Sequence, residues 1–321
     1  MQNIAILTGG DSAERIISLR SAQVVYNHLP KTSYNCFLID VNGAHWSDIN
    51  SGTLVDKNDF SLDIDGEKIR FHAAFAALHG SPLENGKLQG YLEIMGVPYT
   101  CCDGYTSALT MSKHHTKTQL APYHIPMAKS ELLHQNQPID MEAILGLGLP
   151  IFVKPNGGGS SFGVSKVKNV DELAPAIELA FAHDAQVLVE AAMQGREFSH
   201  GVIINAAGKP MAMPVTEIIT ENEFFDFAAK YEGKSKEITP ADLSPALTQQ
   251  CQNRSLQLYS LLNCKGLVRF DYILVAETFM LLEVNTIPGL TENSLLPQQA
   301  QVAGISLTEL FVGAIRHILP E

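Results

Sequence analysis

Apolar runs and helical patterns alternate along the first hundred residues. Residues 3–8 predict a strand, two glycines follow, and residues 12–29 predict a helix. The apolar runs 36–40 and 73–80 predict two further strands. Repeated strand–turn–helix units predict a parallel sheet whose loops gather at the carboxyl ends of its strands, which is where open α/β sheets bind ligands.

The remainder of the chain follows no such regular alternation. We predict in order a helix at 107–117, a strand at 149–154, a helix at 170–183, strands at 186–193 and 197–204, a polar irregular stretch at 217–240, a helix from about 239 to 263 and a last helix from about 307. A chain of 321 residues is too long for one ordinary core. We therefore expect an N-terminal α/β domain over 1–98 and two α+β domains over 99–190 and 191–321.

Residues 269–285 predict a β-hairpin, because two apolar runs flank a short turn. With Glu277 at the centre of the turn, Val275 faces Phe279. Side chains alternate between the two faces of a strand. The polar face at the end away from the turn then holds Arg269, Asp271, Glu283 and Asn285. The opposite face points into a core and holds Phe270, Tyr272, Leu282 and Val284.

The polar end of this hairpin places Asp271 directly opposite Glu283. Like charges that face each other destabilise an antiparallel pair, so these carboxylates require a cation. Two carboxylates and the amide oxygen of Asn285 are hard ligands that suit Mg²⁺ or Mn²⁺, and Mg²⁺ often also binds substrate phosphates. The alternative is a solvated edge on which the two acids stand apart.

A glycine-rich loop after Lys154 is the second candidate site. The lysine ends an apolar strand, and three glycines and two serines follow at 157–161. Glycine lets backbone N–H groups approach phosphate oxygens closely, and the lysine supplies positive charge. The alternative is a flexible hairpin that binds nothing.

Single polar residues are weaker candidates. Glu14 lies in the first turn of a predicted helix, where a carboxylate either favours the helix dipole or holds a substrate ammonium group. His79 follows a strand and is either a ligand-binding residue or a satisfied loop histidine. Lys113 and Lys117 share one helix face, which is either solvated or binds phosphates.

The composition argues against several classes of protein. The net charge of −12 and the pI near 5.3 argue against a nucleic-acid-binding protein. We expect neither a signal peptide nor insertion into a membrane, because the sequence shows no basic leader and no apolar run of membrane-spanning length. The five cysteines are odd in number and lack metal-binding spacing, which predicts a reduced, cytoplasmic protein.

Motifs spread over nearly the whole chain form one set. They are Gly9-Gly10-x-Ser12-Ala13-Glu14-Arg15, Leu78-His79-Gly80 with Leu88-Gln89-Gly90, Lys154-Pro155 with Gly159-Ser160-Ser161, Lys230-Tyr231, Arg269-x-Asp271, and Glu283-x-Asn285-x-x-Pro288-Gly289-x-Thr291-x-x-Ser294-Leu295. In this order and spacing the set resembles the D-alanine–D-alanine ligase family. The resemblance implies the ATP-grasp fold and an ATP-dependent ligation of two D-alanines through an acyl phosphate, for peptidoglycan synthesis and cell wall biogenesis.

The resemblance also implies which residues bind ATP and metal. The phosphates of ATP would be held by Lys113, Lys154, Gly157, Gly158, Gly159, Ser160 and Ser161. The adenine and ribose would contact Glu190, Ala191, Met193 and Glu197. Two Mg²⁺ ions, or Mn²⁺, would be bound by Asp271, Glu283 and Asn285.

The same resemblance implies how the two amino acids are bound. The ammonium group of the first D-alanine would be bound by Glu14, with His79 nearby, and the carboxylate of the second by Lys230, Ser294 and Leu295. The oxyanion would be stabilised by Arg269 and the N–H of Gly289. A network of Glu14, Ser160 and Tyr231 would close a lid over D-alanine and ATP, and we further expect a homodimer.

Two positions depart from the family pattern. The lysine that is frequent beside the adenine-contacting glutamate is Ala191 here, and the phosphate loop begins with the uncharged run 156–158. Both changes would weaken ATP binding or alter the mobility of the loop. Three other readings stay open: a D-alanine–D-lactate ligase, against which Tyr231 argues, another ATP-grasp carboxylate–amine ligase, and a nucleotide-binding regulator without activity.

Overall fold

The computed structural model describes residues 1–159, 162–205, 207–220 and 235–319. The elements of its N-terminal part are β1 Gln2–Gly9, α1 Arg15–His28, β2 Tyr34–Asn42, β3 His45–Asp48, β4 Ser61–Ile64, β5 Glu67–Arg70, β6 Ala73–Ala76 and α2 Lys87–Ile94. A sheet of strand order β3-β2-β1-β6 forms here, and β4 and β5 form a separate small hairpin. Because β1 pairs in parallel with β2 and β6, the predicted parallel sheet is confirmed; β3 is added antiparallel.

The central part contains a second sheet, in which all neighbours are antiparallel. Its elements are α3 Gly104–Met111, α4 Lys113–Leu120, β7 Ser130–His134, α5 Met141–Leu145, β8 Ile151–Pro155, β9 Ser165–Val167, α6 Leu173–Phe181 and β10 Gln186–Ala191, with short 3₁₀ turns at Ala121–Tyr123 and Val170–Glu172. The strand order is β7-β10-β8-β9. The sheet brings the end of β8, with Lys154, beside β10.

The C-terminal part is built on a third sheet. Its elements are β11 Arg196–Ile204, β12 Pro210–Ala212, β13 Thr216–Thr220, β14 Ser235–Ile238, α7 Pro245–Leu261, β15 Val268–Val275, β16 Thr278–Asn285, α8 Leu295–Val302 and α9 Leu307–Ile318. The strand order is β14-β13-β11-β15-β16, and β12 pairs with β11. The helices of the described residues include none that is both long and apolar enough to cross a membrane.

Three predicted elements are wrong in extent, and one of them is the helix predicted from about 239, which begins only at Pro245 after its cap residue Ser244. The helix predicted at 107–117 is interrupted at Ser112, whose backbone is extended and whose side chain accepts a hydrogen bond from the His115 N–H at the start of α4. Serine favours such a cap over a helix interior. The stretch 217–240 is not irregular at its ends, because β13 and β14 pair with each other there.

The turn of the hairpin formed by β15 and β16 differs by one residue from the prediction. It consists of Ala276 and Glu277, which both have positive φ, as two-residue hairpin turns require. Val275 therefore faces Thr278 and not Phe279. The error lies in the assumed three-residue turn.

The polar end of the hairpin nevertheless keeps the predicted pairing of Asp271 with Glu283, because a β-bulge beside Asp271 absorbs one residue. Tyr272 faces Leu281, which is 5% exposed and packs in the core. The prediction that Leu282 points into the core is wrong. Leu282 is the extra residue of the bulge, and it lines a cavity on the polar face.

Apolar contacts connect the first sheet to the C-terminal helices. Phe311 of α9 meets Phe75 of β6 edge-on, with ring centroids 5.7 Å apart. Leu290 and Leu296 belong to the same buried cluster. This core places the segment that follows β16 against the carboxyl edge of the N-terminal sheet.

Candidate active site

Two cavities lie side by side. All three parts of the chain line the first, and the central and C-terminal parts line the second. The first has a volume of about 280 Å³ and the second about 470 Å³. Predicted amino-acid-binding and oxyanion residues line the first cavity, namely Glu14, His79, Arg269, Gly289, Ser294 and Leu295. Predicted nucleotide-binding residues line the second, namely Lys154, Glu190, Ala191, Met193 and Glu197. The two cavities share a wall made by Lys113, Gly158, Gly159, Leu282 and Glu283.

Hydrogen bonds to Asp271 organise the polar end of the hairpin. Arg269 donates from Nε to Oδ1 at 2.9 Å and from Nη2 to Oδ2 at 2.8 Å. Ser199 of β11 donates to Oδ1 at 2.6 Å, and Asn285 Nδ2 donates to Oδ2 at 2.9 Å. The carboxylate of Asp271 is almost fully buried, and these donors replace the water that it loses.

The same end of the hairpin fits a divalent metal ion. Asp271, Glu283 and Asn285 share one face and offer carboxylate and amide oxygens, the hard ligands that Mg²⁺ and Mn²⁺ prefer. Asn285 turns its amide nitrogen toward Asp271, so its amide oxygen points away from that carboxylate. Among the described residues, no three His, Cys, Asp or Glu side chains cluster as a metal site.

A buried ion-pair cluster lines the second cavity. Glu190 of β10 forms ion pairs with Lys117 of α4, at 2.6 Å, and with Lys154 of β8. Burial opposes the ionisation of Glu190, but the two ammonium groups outweigh it and lower its pKa below the ordinary value. The cluster connects α4 to β8 and β10. Lys117 belongs to it, although the sequence alone had shown this residue only as one of two lysines on a helix face.

The glycine loop lies between the two cavities. Lys113 Nζ donates to the Gly158 carbonyl at 2.7 Å, and the Gly157 N–H donates to Asp184 Oδ2 at 2.7 Å. A β-carbon at Gly159 would lie 2.9 Å from Glu14 Oε2. At Gly159 the loop therefore comes close to the end of the Glu14 side chain in the N-terminal part.

His79 joins the N-terminal part to the segment after β16. Its Nδ1 donates to the Ile287 carbonyl at 2.9 Å, and the Ser21 hydroxyl lies 2.9 Å from Nε2. A carbonyl can only accept, and burial lowers the pKa of His79, so the ring is neutral and Nε2 accepts from Ser21. Ser21 Oγ also accepts the Leu290 N–H at 3.3 Å. His79 and Ser21 therefore position the segment that carries Gly289.

Gly289, Ser294 and Leu295 lie together at the start of α8. The Ser294 hydroxyl is 2.7 Å from Thr291 Oγ1, and a β-carbon at Gly289 would lie 2.7 Å from Ser294 Oγ. The first N–H groups of a helix have no partner within it and attract anions. This corner of the first cavity therefore suits a carboxylate.

Glu84 is a site residue that sequence reasoning missed. It lines the first cavity, and its Oε2 accepts the Gly80 N–H at 3.1 Å. Burial first, and then the charge of Glu14, raise its pKa to about 8. Its place five residues after His79, in a loop at the carboxyl edge of the sheet, was the available signal. Four predicted site residues lie outside the described residues, namely Ser160, Ser161, Lys230 and Tyr231.

Comparisons with known proteins agree over the whole chain. Family models described as the D-ala D-ala ligase N-terminus and C-terminus match residues 3–102 and 117–316. The D-alanine--D-alanine ligase of Flavobacterium johnsoniae is 47% identical over 319 residues, which covers 98% of each chain. The structure of D-alanyl-alanine synthetase A from Vibrio cholerae has a TM-score of 0.89 at 30% identity and covers 100% of this chain and 99% of its own.

A second solved structure, the D-alanine--D-Alanine Ligase from Bacillus anthracis complexed with ATP, has a TM-score of 0.82 at 27% identity. The comparison covers 99% of this chain and 98% of that one. The likeness thus extends over nearly the whole length of each chain. The chain belongs to the D-alanine–D-alanine ligase family.

Proposed function

We propose that the protein ligates two D-alanines to D-alanyl-D-alanine, with ATP converted to ADP and phosphate. The observation that carries the proposal is the pair of cavities that meet at Glu283. One contains a carboxylate and a helix N-terminus that suit an amino acid, and the other contains lysines that suit nucleotide phosphates. Two comparisons support the same reaction: a D-alanine–D-alanine ligase that is 47% identical over 319 residues, and a solved relative that is complexed with ATP.

The proposed reaction has two steps. The carboxylate of the first D-alanine attacks the γ-phosphate of ATP, which gives an acyl phosphate and ADP. The amine of the second then attacks the acyl carbon, and phosphate leaves. Both steps concentrate negative charge, and fixed cations and N–H donors stabilise it best where water is excluded. Lys113 in the shared wall and Lys154 in the second cavity supply positive charge, while Arg269 and the Gly289 N–H serve the oxyanion.

A metal ion fits this proposal through the donor set of Asp271, Glu283 and Asn285. When bound, Mg²⁺ or Mn²⁺ would neutralise phosphate charge at the wall between the cavities. Arg269 holds the Asp271 carboxylate in place by donating to its Oδ2 at 2.8 Å. The number of ions, two in our proposal, follows from the family resemblance.

The direct test is product formation. The protein is incubated with ATP, Mg²⁺ and D-alanine, and the product is analysed by mass spectrometry together with phosphate release. We expect D-alanyl-D-alanine and phosphate in equal amounts. ATP binding without turnover on any amino acid would instead support a regulator, and a different product mass would support another carboxylate–amine ligase.

The choice of acceptor is tested separately, with D-alanine alone against D-alanine plus D-lactate near neutral pH. We expect the dipeptide to dominate. Tyr231, which lies outside the described residues, is proposed to help close the lid, so Tyr231→Phe should shift acceptor preference. Unchanged kinetics with both acceptors would remove Tyr231 from that role.

Three further proposals concern the cellular location of the enzyme, its biosynthetic role and its oligomeric state. We place it in the cytoplasm, in peptidoglycan precursor synthesis, which the five buried free cysteines support. We also propose a homodimer, on the family resemblance alone. Sedimentation equilibrium at two protein concentrations measures its mass directly.

A further inference from the structure

The start of α8 forms one corner of the first cavity. Ser294 precedes this helix, Leu295 is its first residue, and both line the cavity. Because the first N–H groups of a helix have no partner within it, they are available to a carboxylate. Their place in the cavity depends on the contacts that hold α8 against the rest of the molecule. Two neighbouring glutamines of α8 supply such contacts.

Gln299 of α8 fills a gap in the third sheet. β13 pairs with residues 197–199 of β11 and β12 pairs with residues 202–204, so residues 200 and 201 fall between the two strands. In this gap Gln299 Oε1 accepts the Gly201 N–H at 2.8 Å, and Gln299 Nε2 donates to the Ser199 carbonyl at 2.9 Å. The side-chain amide therefore takes the place of a peptide group of a neighbouring strand.

The contact between α8 and β11 is close and dry. Gln299 is fully buried, and its Nε2 also donates to Thr216 Oγ1 at 2.9 Å. A β-carbon at Gly201 would lie 2.4 Å from Leu296 Cδ1 and 2.6 Å from Gln299 Oε1, so these side chains rest directly on the backbone of the strand. A buried amide whose N–H groups and oxygen are all bonded holds the helix in one orientation.

Gln298 fixes the segment that leads into α8. Its Nε2 donates to the Asn293 carbonyl at 2.7 Å and to Glu237 Oε2 of β14 at 3.0 Å. Asn293 directly precedes Ser294, so the first of these bonds acts beside the corner of the cavity. Gln298 is half-buried, whereas Gln299 lies in the interior. The two amides therefore hold the start of α8 from two strands, β14 and β11.

The strand β11 also supports the polar end of the hairpin. The Ser199 hydroxyl donates to Asp271 Oδ1 at 2.6 Å, and the carbonyl of the same residue accepts from Gln299. Two reacting groups must lie about 3–3.5 Å apart before they can form a bond. The second amino acid of the proposed reaction must therefore be held at a fixed distance from the hairpin, and β11 is a common support for both.

We propose that Gln298 and Gln299 are positioning residues for the second amino acid. They hold Ser294 and Leu295, which would receive its carboxylate, in register with the hairpin that carries Asp271. The inference rests on the proposed ligase function and concerns its second step. Neither glutamine is among the residues that line the two cavities, so both act through α8.

Hydroxylamine separates the two steps of the reaction. It reacts with an acyl phosphate and has no carboxylate, so D-alanine hydroxamate forms without a ligand at the start of α8. Dipeptide and hydroxamate are measured against D-alanine concentration, with ATP and Mg²⁺, for wild type, Gln299→Met and Gln298→Met. Methionine keeps the length of the side chain and removes its amide. Gln301→Met, at an exposed position of the same helix, is the matched control.

We expect Gln299→Met and Gln298→Met to raise the KM for D-alanine in dipeptide formation roughly 5- to 20-fold and to leave that of hydroxamate formation within about twofold. Gln301→Met should match wild type. A purely structural role would lower both products together, and that result or an unchanged dipeptide KM would overturn the proposal. If Gln299→Met does not fold, the half-buried Gln298→Met decides by the same criterion.

Hydrogen exchange tests the anchoring of α8 without reference to activity. Peptides that cover α8 should exchange faster in both variants than in wild type, and peptides that cover β15 and β16 should not change. Unchanged exchange across α8 would overturn the anchoring, whatever products the protein forms. A wild type that forms no dipeptide, with faster exchange in both variants, would refute the proposed ligase function and leave the anchoring supported.

Discussion

Two buried carboxylates in this protein are stabilised in different ways. Glu190 is paired with the ammonium groups of Lys117 and Lys154, so its charge is fully neutralised. Asp271 instead forms an ion pair with the guanidinium of Arg269 and lies opposite Glu283 at that end of the hairpin. The hairpin therefore places carboxylates at the wall between the cavities, where phosphate and metal would meet.

Glu283→Gln should lower kcat by orders of magnitude with little change in the free energy of unfolding. The amide retains the shape of the side chain and removes charge that stabilises the transition state. Steady-state kinetics at saturating Mg²⁺ measure the effect, and Glu277→Gln at the exposed hairpin turn is the control. Near-normal turnover of Glu283→Gln would rule out the metal assignment.

Glu190→Gln should destabilise the fold by about 3–5 kcal/mol at neutral pH, because two buried ammonium groups lose their partner. The pKa of Glu190 is lowered in the folded state, so its contribution is present above the ordinary value of 4.5 and is lost as the pH falls through the folded value. Denaturant unfolding between pH 3 and 7 should show this loss in wild type and not in the variant. Glu178→Gln on the exposed face of α6 should behave like wild type.

At the scale of elements, the β-bulge decides what the hairpin presents to each side. Leu281 enters the core, while Leu282 and Glu283 both reach the cavities. A regular ladder would place only every second residue on that face. The bulge thus puts an apolar side chain next to the proposed metal ligand.

The adjacent leucines give a matched pair of variants. Leu281→Ala should cost about 2–5 kcal/mol of stability, as a large-to-small change in a core does. Leu282→Ala should cost far less stability and raise the KM for ATP severalfold, because it removes part of the cavity wall. Thermal unfolding and ATP titrations of both variants distinguish them. A larger stability loss for Leu282→Ala than for Leu281→Ala would contradict the bulge assignment.

At the scale of the whole molecule, the active site depends on contacts between distant parts of the chain. His79 and Ser21 of the N-terminal part bond to the segment at 287–290, and Gly159 of the central part reaches Glu14. The buried apolar cluster that contains Phe311 also includes Leu290, so it packs against the same segment. The first cavity is therefore built by all three parts of the chain, and the second by the central and C-terminal parts.

Ser21→Ala should lower kcat roughly 10- to 100-fold, because the segment that carries Gly289 loses a tether and small displacements of a catalytic group are costly. The KM for ATP should stay unchanged, since Ser21 touches neither the second cavity nor the glycine loop. Ser33→Ala, at an exposed position before β2, is the control. A change in KM for ATP with an unchanged kcat would contradict this role.

The sequence by itself determined those features that depend on near neighbours. Alternation along 269–285 predicted that Asp271 and Glu283 share one face of the hairpin, since a strand repeats every two residues; their direct pairing depends on the bulge as well. The glycines after Lys154 predicted a close approach of backbone to a ligand, and the motif set predicted the family. None of these inferences needed a contact between distant parts of the chain.

Only the tertiary structure decided which partner each side chain meets. The bulge at Leu282, the ion pairs of Glu190 and the burial of Glu84 arise from packing between segments far apart in sequence. Burial and charge at a position are sums over all neighbours in space, and local patterns do not encode those neighbours. For that reason the sequence indicated the proposed metal ligands in advance, whereas the raised pKa of Glu84 follows only from the folded chain.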